Sequence, residues 1–178
     1  MRTFEELYNP LLALHTLARV RERHPDATLV LAGQDAPFRS VVEMRARELG
    51  LAGAVRYPGF LDLAGKQREA DTTDIFLNTP RIDNRPICVV EAGALGLPIV
   101  STNVGGMSDL IEHERTGLLV PDDDERAMAD AVLRLVDEPA LAEMSAIELV
   151  LPQWERVLAE AVRRSTSTMD ATLEQRAD

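Results

Sequence analysis

The chain has 178 residues, 46% of them hydrophobic and 28% charged, a balance that suits one folded domain and excludes the disordered and fibrous classes. With 19 Lys and Arg against 30 Asp and Glu, the formal net charge is -11, so there is no basic surface to neutralise a run of phosphates, and no nucleic-acid partner is expected. A small phosphorylated ligand is not excluded, because backbone N–H groups and helix N-termini hold phosphate without formal positive charge.

Asn9 followed by Pro10 forms a helix start, an N-cap and then a residue pre-set for the first turn. Leu11, Leu14, Leu17 and Ala18 continue at helical spacing, which predicts a helix over 10–23. "TLVLAG" at 28–33 is a short apolar run closed by Gly and reads as a buried strand. Val42, Ala46 and Leu49 line a helix that ends at Gly50, and "AVRYPG" at 54–59 is a strand stopped by Pro58 and Gly59. A short helix near 62–70 leads to the strand "DIFLN" at 74–78. An apolar helix over 86–96, the strand "PIVST" at 98–102, a shorter helix near 108–113 and the strand "GLLV" at 117–120 follow.

Beyond the last strand, Ala127, Met128, Ala131, Val132 and Leu135 form one amphipathic stripe. Trp154, Val157, Leu158, Ala161 and Val162 form another, and the polar end at 166–178 reads as a disordered tail behind a domain of residues 1–165. Cys88 is the single cysteine, which precludes an intrachain disulfide. The start lacks the apolar core of a signal peptide and no segment is long and apolar enough to span a bilayer, so the expected location is cytoplasmic.

Five continuously apolar strands alternating with helices predict an α/β fold with a doubly wound, Rossmann-like parallel sheet. In such sheets ligands bind beyond the carboxyl ends of the strands. Three stretches stand out: "TPRIDNRP" after the third strand, "NVGGMSD" after the fourth, and "ERTG" ahead of the fifth. Gly105 and Gly106 permit a tight path and a close approach, with Ser108 or Asp109 as the cap of the next helix. Glu91 lies one turn into a helix beside Ile87, Cys88, Ala94 and Leu95, so its carboxylate is expected in restricted solvent. Two partners remain open for it: backbone amides of the Gly105 loop, or both hydroxyls of a ribose. Asp83 is either a turn residue ahead of Pro86 or, with Glu91, one of two carboxylates holding sugar hydroxyls on either side of a helix-bound phosphate. No His, Cys, Asp or Glu spacing matches a metal site, and there is no Walker, GxGxxG or nucleophile-elbow pattern, so neither metal nor cofactor is expected.

The run "DNRPICVVEAGALGLPIVSTNVGGMSDLIEHERTGLLVPDDDERAMADAV" resembles the donor-binding half of family-four retaining glycosyltransferases of the GT-B type. Such enzymes carry an acidic residue, seven residues and a Glu, then a Gly-Leu-Pro strand, a Gly-Gly loop and a Thr-Gly-Leu-Leu-Val strand. The resemblance extends from about Arg2 to Trp154. It implies Glu91 as the ribose ligand, Asp83 at the donor sugar, and the backbone of Asn84, Arg85, Pro86, Ile87, Cys88 and Val89 along the diphosphate. Gly105, Gly106, Thr116 and Gly117 complete the donor-binding set. Arg2 stands for the arginine that stabilises the departing diphosphate, while Tyr8 stands near the lysine position.

The implied reaction is hexosyl transfer from a nucleoside-diphosphate sugar with retention. The resemblance also implies an N-terminal acceptor-binding domain or a partner chain. A first, central strand should precede Arg2, so the domain reads as truncated at its amino end. Two alternatives stand beside a glycosyltransferase: a non-catalytic nucleotide-sugar-binding or interaction module completed by another chain, and a nucleotide-sugar epimerase.

Overall fold

A computed structural model describes residues 3–84 and 86–143. A 3-10 turn, Glu6–Tyr8, precedes α1 (Pro10–Val20), and β1 (Leu29–Ala32), α2 (Phe38–Glu48) and β2 (Val55–Gly59) follow. Next come α3 (Leu63–Ala70), β3 (Phe76–Asn78), α4 (Ile87–Ala94), β4 (Ile99–Thr102), α5 (Met107–Leu110), β5 (Leu118–Val120), α6 (Glu125–Asp137) and α7 (Pro139–Glu143). The predicted strands form at their expected places. The stripe around Trp154 and the tail lie outside the described residues.

Local chemistry explains the helix starts. Asn9 sits in the left-handed region at φ 45 and its side chain accepts the Leu12 N–H at 3.4 Å. Asp62 caps α3 through the Gly65 N–H at 2.7 Å, and Asp124 caps α6 through the Ala127 N–H at 2.8 Å. α1 stops at Val20 rather than Arg23 because the N–H groups of Glu22 and Arg23 reach back only three residues, to Arg19 and Val20. The cap expected from Ser108 or Asp109 does not form: Gly106 is the N-cap of α5 and no side chain caps it.

Every strand pair is parallel. β1 pairs with β2, and β3, β4 and β5 form a second piece in that order. α1, α2 and α6 cover one face. Leu12 and Val20 of α1 pack with Val100, Leu118 and α6, while Leu14 and Leu17 pack with Val42, Ala46 and Val55. α4 and α5 cover the other face through Cys88, Val89, Ala92, Ile99, Met107 and Ile111. β4 is buried along its whole length, as an interior parallel strand should be. β1 is equally apolar yet only half-buried, because the sheet is divided between β1 and β3.

Candidate functional site

The loop that leaves β3 is held from below by buried polar contacts. Asn78 donates to Ser101 Oγ at 2.9 Å and accepts from Cys88 Sγ at 3.9 Å. Thr102 Oγ1 donates to the Pro80 carbonyl at 2.7 Å, Thr79 Oγ1 to the Tyr8 carbonyl at 2.9 Å, and the Arg81 N–H to the Leu7 carbonyl at 2.9 Å. These bonds satisfy groups that burial would otherwise penalise, and they fix the loop against β4 and the segment before α1. At its rim Arg81 pairs with Asp123 at 3.0 Å, and Asn9 Nδ2 donates to the same carboxylate at 3.1 Å. Arg81 first, and then Asn9, hold the Asp123 carboxyl below its ordinary range.

Above this base the two sequence-singled loops meet. The Gly106 N–H donates to the Asp83 carbonyl at 3.3 Å. A Cβ on Gly105, whose φ is +55, would fall 2.0 Å from that same oxygen, and one on Gly106 would fall 2.3 Å from the Asn84 carbonyl oxygen. The adjacent glycines are thus explained by contact between two stretches of backbone. They bring the turn after β4 against Asp83 and Asn84, immediately ahead of α4. The N-cap of α4 is Pro86, with no side-chain cap, so the amides of the first turn leave the helix end without a side-chain acceptor.

Glu91 is partly buried, its side chain 33% exposed, and the partner it needs is a cation: Lys66 Nζ lies 2.6 Å from Oε1. The reason is that α4 exposes Ile87 and Ala94 at helical spacing from it, while α3 brings a cation alongside. Its partner is therefore Lys66 and not an amide of the Gly105 loop. Lys66 escaped the sequence reading because α3 carries no motif; the available signal was that it is the only lysine in the chain.

Thr116 and Gly117 lie elsewhere. Thr116 is buried and its Oγ1 accepts the Glu112 N–H at 2.9 Å. A Cβ on Gly117 would fall 2.9 Å from the Ile99 carbonyl oxygen, at the start of β4. Both therefore sit at the amino edge of the sheet, across the length of β4 from Gly105, because α5 carries the chain from one edge to the other. The signal was present in their order: they precede a strand, whereas the other candidates follow one. Arg2 and Arg85 lie outside the described residues. Among the described residues no group of His, Cys, Asp and Glu could hold a metal ion, and no helix is long and apolar enough to cross a membrane. Phe60, Leu63, Ile82 and Ile87 expose large apolar side chains on the segments that follow β2 and β3.

Parallel strands, helices on both faces and a loop cluster at the carboxyl edge define a Rossmann-like α/β domain with its candidate site in the usual crevice. The family profile described as "Glycosyl transferases group 1" matches residues 3–138, and the chain belongs to that family. It is 28% identical over 134 residues to glycogen synthase of Mycobacterium tuberculosis, covering 75% of this chain and 32% of the relative. It is 31% identical over 133 residues to alpha-D-kanosaminyltransferase of Streptomyces kanamyceticus, covering 75% of this chain and 34% of the relative. The chain thus spans about a third of the length of these relatives. In structure it is similar to Anabaena HepE in complex with UDP and glucose, with a TM-score of 0.78 and 17% identity, covering 94% of this chain and 47% of that one. It is also similar to the C-terminal domain of the group 1 glycosyl transferase LpcC of Francisella tularensis, with a TM-score of 0.77 and 19% identity, covering 86% of this chain and 83% of that one. The fold is that of the GT-B C-terminal domain.

Proposed function

We propose that the carboxyl-edge loops bind a nucleoside-diphosphate sugar, and that the chain is the donor-binding half of a retaining glycosyltransferase. The observation that carries this reading is the contact of Gly105 and Gly106 with Asp83 and Asn84 ahead of α4. It builds a rigid two-loop floor beside a helix N-terminus, a place suited to a diphosphate. Family membership and the UDP-bound neighbour support the same ligand class.

In this reading the amides of Asn84, Ile87 and Cys88 face the diphosphate, with Val89, whose N–H donates to the Pro86 carbonyl at 3.1 Å, closing the turn behind them; Asp83 holds the donor sugar and Glu91 accepts the ribose hydroxyls. Glu91 must then exchange Lys66 for ribose, so Lys66 is displaced on binding or turns toward the phosphates. As the glycosidic bond breaks, the sugar becomes cationic and charge collects on the departing diphosphate, where fixed donors act most strongly. Arg2 is assigned to that charge. The acceptor-binding domain, or a partner chain, supplies the other wall.

A second reading, a binding module without turnover, is favoured by Tyr8, half-buried where the resemblance calls for a lysine. Calorimetric titration with UDP, GDP and their glucose and mannose conjugates tests ligand binding. Glu91→Ala is expected to weaken binding of the preferred nucleotide sugar by about 1 to 3 kcal/mol. Equal affinity of the two proteins rejects the site. Sugar transfer after fusion to an acceptor-binding domain from a relative would reject the second reading.

A further inference from the structure

Lys66 and Glu91 hold corresponding places on successive helices. α3 follows the carboxyl end of β2, and α4 follows the carboxyl end of β3. Lys66 is the fourth residue of α3 and Glu91 the fifth of α4, so each stands about one turn from its helix start. Side chains on a helix lean toward its N-terminus, which directs both polar ends back at the carboxyl-edge loops. There the Lys66 ammonium donates to Glu91 Oε1 at 2.6 Å, with the two side chains 22% and 33% exposed.

The neighbouring charges are already engaged. Asp62 caps α3 through the Gly65 N–H at 2.7 Å, Arg56 holds Glu69 at 2.7 Å, and Asp123 holds Arg81 in the loop that leaves β3. A partly buried ammonium that loses its acceptor is penalised until it finds another. Ile87, at the start of α4, is four residues from Glu91, about 6 Å along the axis at a rise of about 1.5 Å per residue. The flexible four-carbon stem of lysine covers that distance by changing rotamer, and its ammonium suits a phosphate as a point charge.

We propose that Lys66 is a mobile cation of the site: it pairs with Glu91 before ribose binds, and it swings to the diphosphate when the ribose hydroxyls take over that carboxylate. The inference rests on the nucleotide-sugar reading given above and assigns this side chain a part in it. Ammonium and hydroxyl groups are both donors toward a carboxylate, so lysine and ribose compete for the same oxygens. A nucleoside alone must break the ion pair and offers Lys66 nothing in return. A nucleoside diphosphate breaks the same pair and supplies a stronger anion one helical turn away. Lys66 therefore opposes the sugar half of the ligand and favours the phosphate half, which makes it a determinant of selectivity for phosphorylated ligands over free nucleosides.

The test compares the full chain with Lys66→Met, which keeps the apolar stem and removes the charge, and with Lys66→Arg, which keeps the charge. Binding is followed by NMR titration with uridine and UDP, and with guanosine and GDP. Lys66→Met is expected to bind the nucleoside about two- to fivefold more tightly, because a partly exposed competing ion pair is gone. The same variant is expected to bind the nucleoside diphosphate about tenfold more weakly, because a charge-assisted contact to phosphate is lost. Lys66→Arg should restore diphosphate affinity to within about threefold of wild type, since the guanidinium also pairs with phosphate. A merely structural lysine, or a misfolded variant, would move both affinities in one direction. Shifts of the same sign for nucleoside and diphosphate, or an unchanged diphosphate affinity in Lys66→Met, overturn this inference and leave the site itself standing. A wild-type protein that binds neither UDP nor GDP rejects the site, and this role of Lys66 with it.

Discussion

Replacing Gly106 with alanine tests the two-loop floor directly. Its φ of -89 is one that alanine adopts freely, so the penalty is the collision of the new Cβ with the Asn84 carbonyl oxygen at 2.3 Å. That oxygen belongs to backbone and cannot rotate aside, so the loops must part. Parting them costs the bond from the Gly106 N–H to the Asp83 carbonyl, about 1 kcal/mol, and displacement of the packed loop adds about 1 to 3 kcal/mol. Alanine also restricts the unfolded chain, which offsets about 0.4 to 1 kcal/mol. The net loss is about 1 to 3.6 kcal/mol. Gly105→Ala adds the cost of a left-handed alanine, about 1 to 2 kcal/mol. Gly50→Ala, at φ +70 with nothing within 4 Å of the new Cβ, isolates that backbone cost. Urea unfolding should therefore rank Gly105→Ala below both Gly106→Ala and Gly50→Ala. Affinity for nucleotide sugar should fall in the Gly105 and Gly106 variants and persist in Gly50→Ala. A Gly106→Ala protein that unfolds at the wild-type midpoint refutes the contact.

Thr116→Val keeps the shape of a buried side chain and removes the acceptor of the Glu112 N–H. It should cost about 1 to 3 kcal/mol in urea unfolding while leaving nucleotide-sugar affinity unchanged, as befits a residue at the far edge of the sheet. Asp123 is held below its ordinary pKa of 3.8 in the folded protein, so its contribution to stability is present above that value and is lost as pH falls through the lowered one. Asp123→Asn should therefore unfold earlier than wild type at pH 7, with the difference closing in acid below pH 3.8. Asparagine suits this position because it tolerates the left-handed backbone at φ 57. A double-mutant cycle of Lys66→Ala and Glu91→Ala, followed by urea unfolding, should give a coupling of about 0.5 to 1 kcal/mol that shrinks in high salt.

The strands were legible because each is a compact apolar run stopped by Gly, Pro or a polar turn, and parallel packing demands such runs. The Gly105–Asp83 contact was not, since a pair of glycines announces a close approach without naming what approaches. Glu91 was legible as an ionised group that needs a partner. That the partner is Lys66 depends on how α3 lies against α4, which no local pattern records. Thr116 and Gly117 show the opposite error. A motif continuous in sequence was read as one site, although the helix within it carries the chain from one edge of the sheet to the other.

α1 has a further consequence as the element shared by both halves of the divided sheet. Leu12 and Val20 belong to the cluster around β4, β5 and α6, whereas Leu14 and Leu17 belong to the one around α2 and β2. Among the described residues no ladder bond joins β1 to β3, so much of the coupling between the two pieces passes through this amphipathic rivet. The β1–α2–β2 unit can then melt as a foldon of its own, and its amides would exchange by a subglobal opening, ahead of those in the three-stranded half.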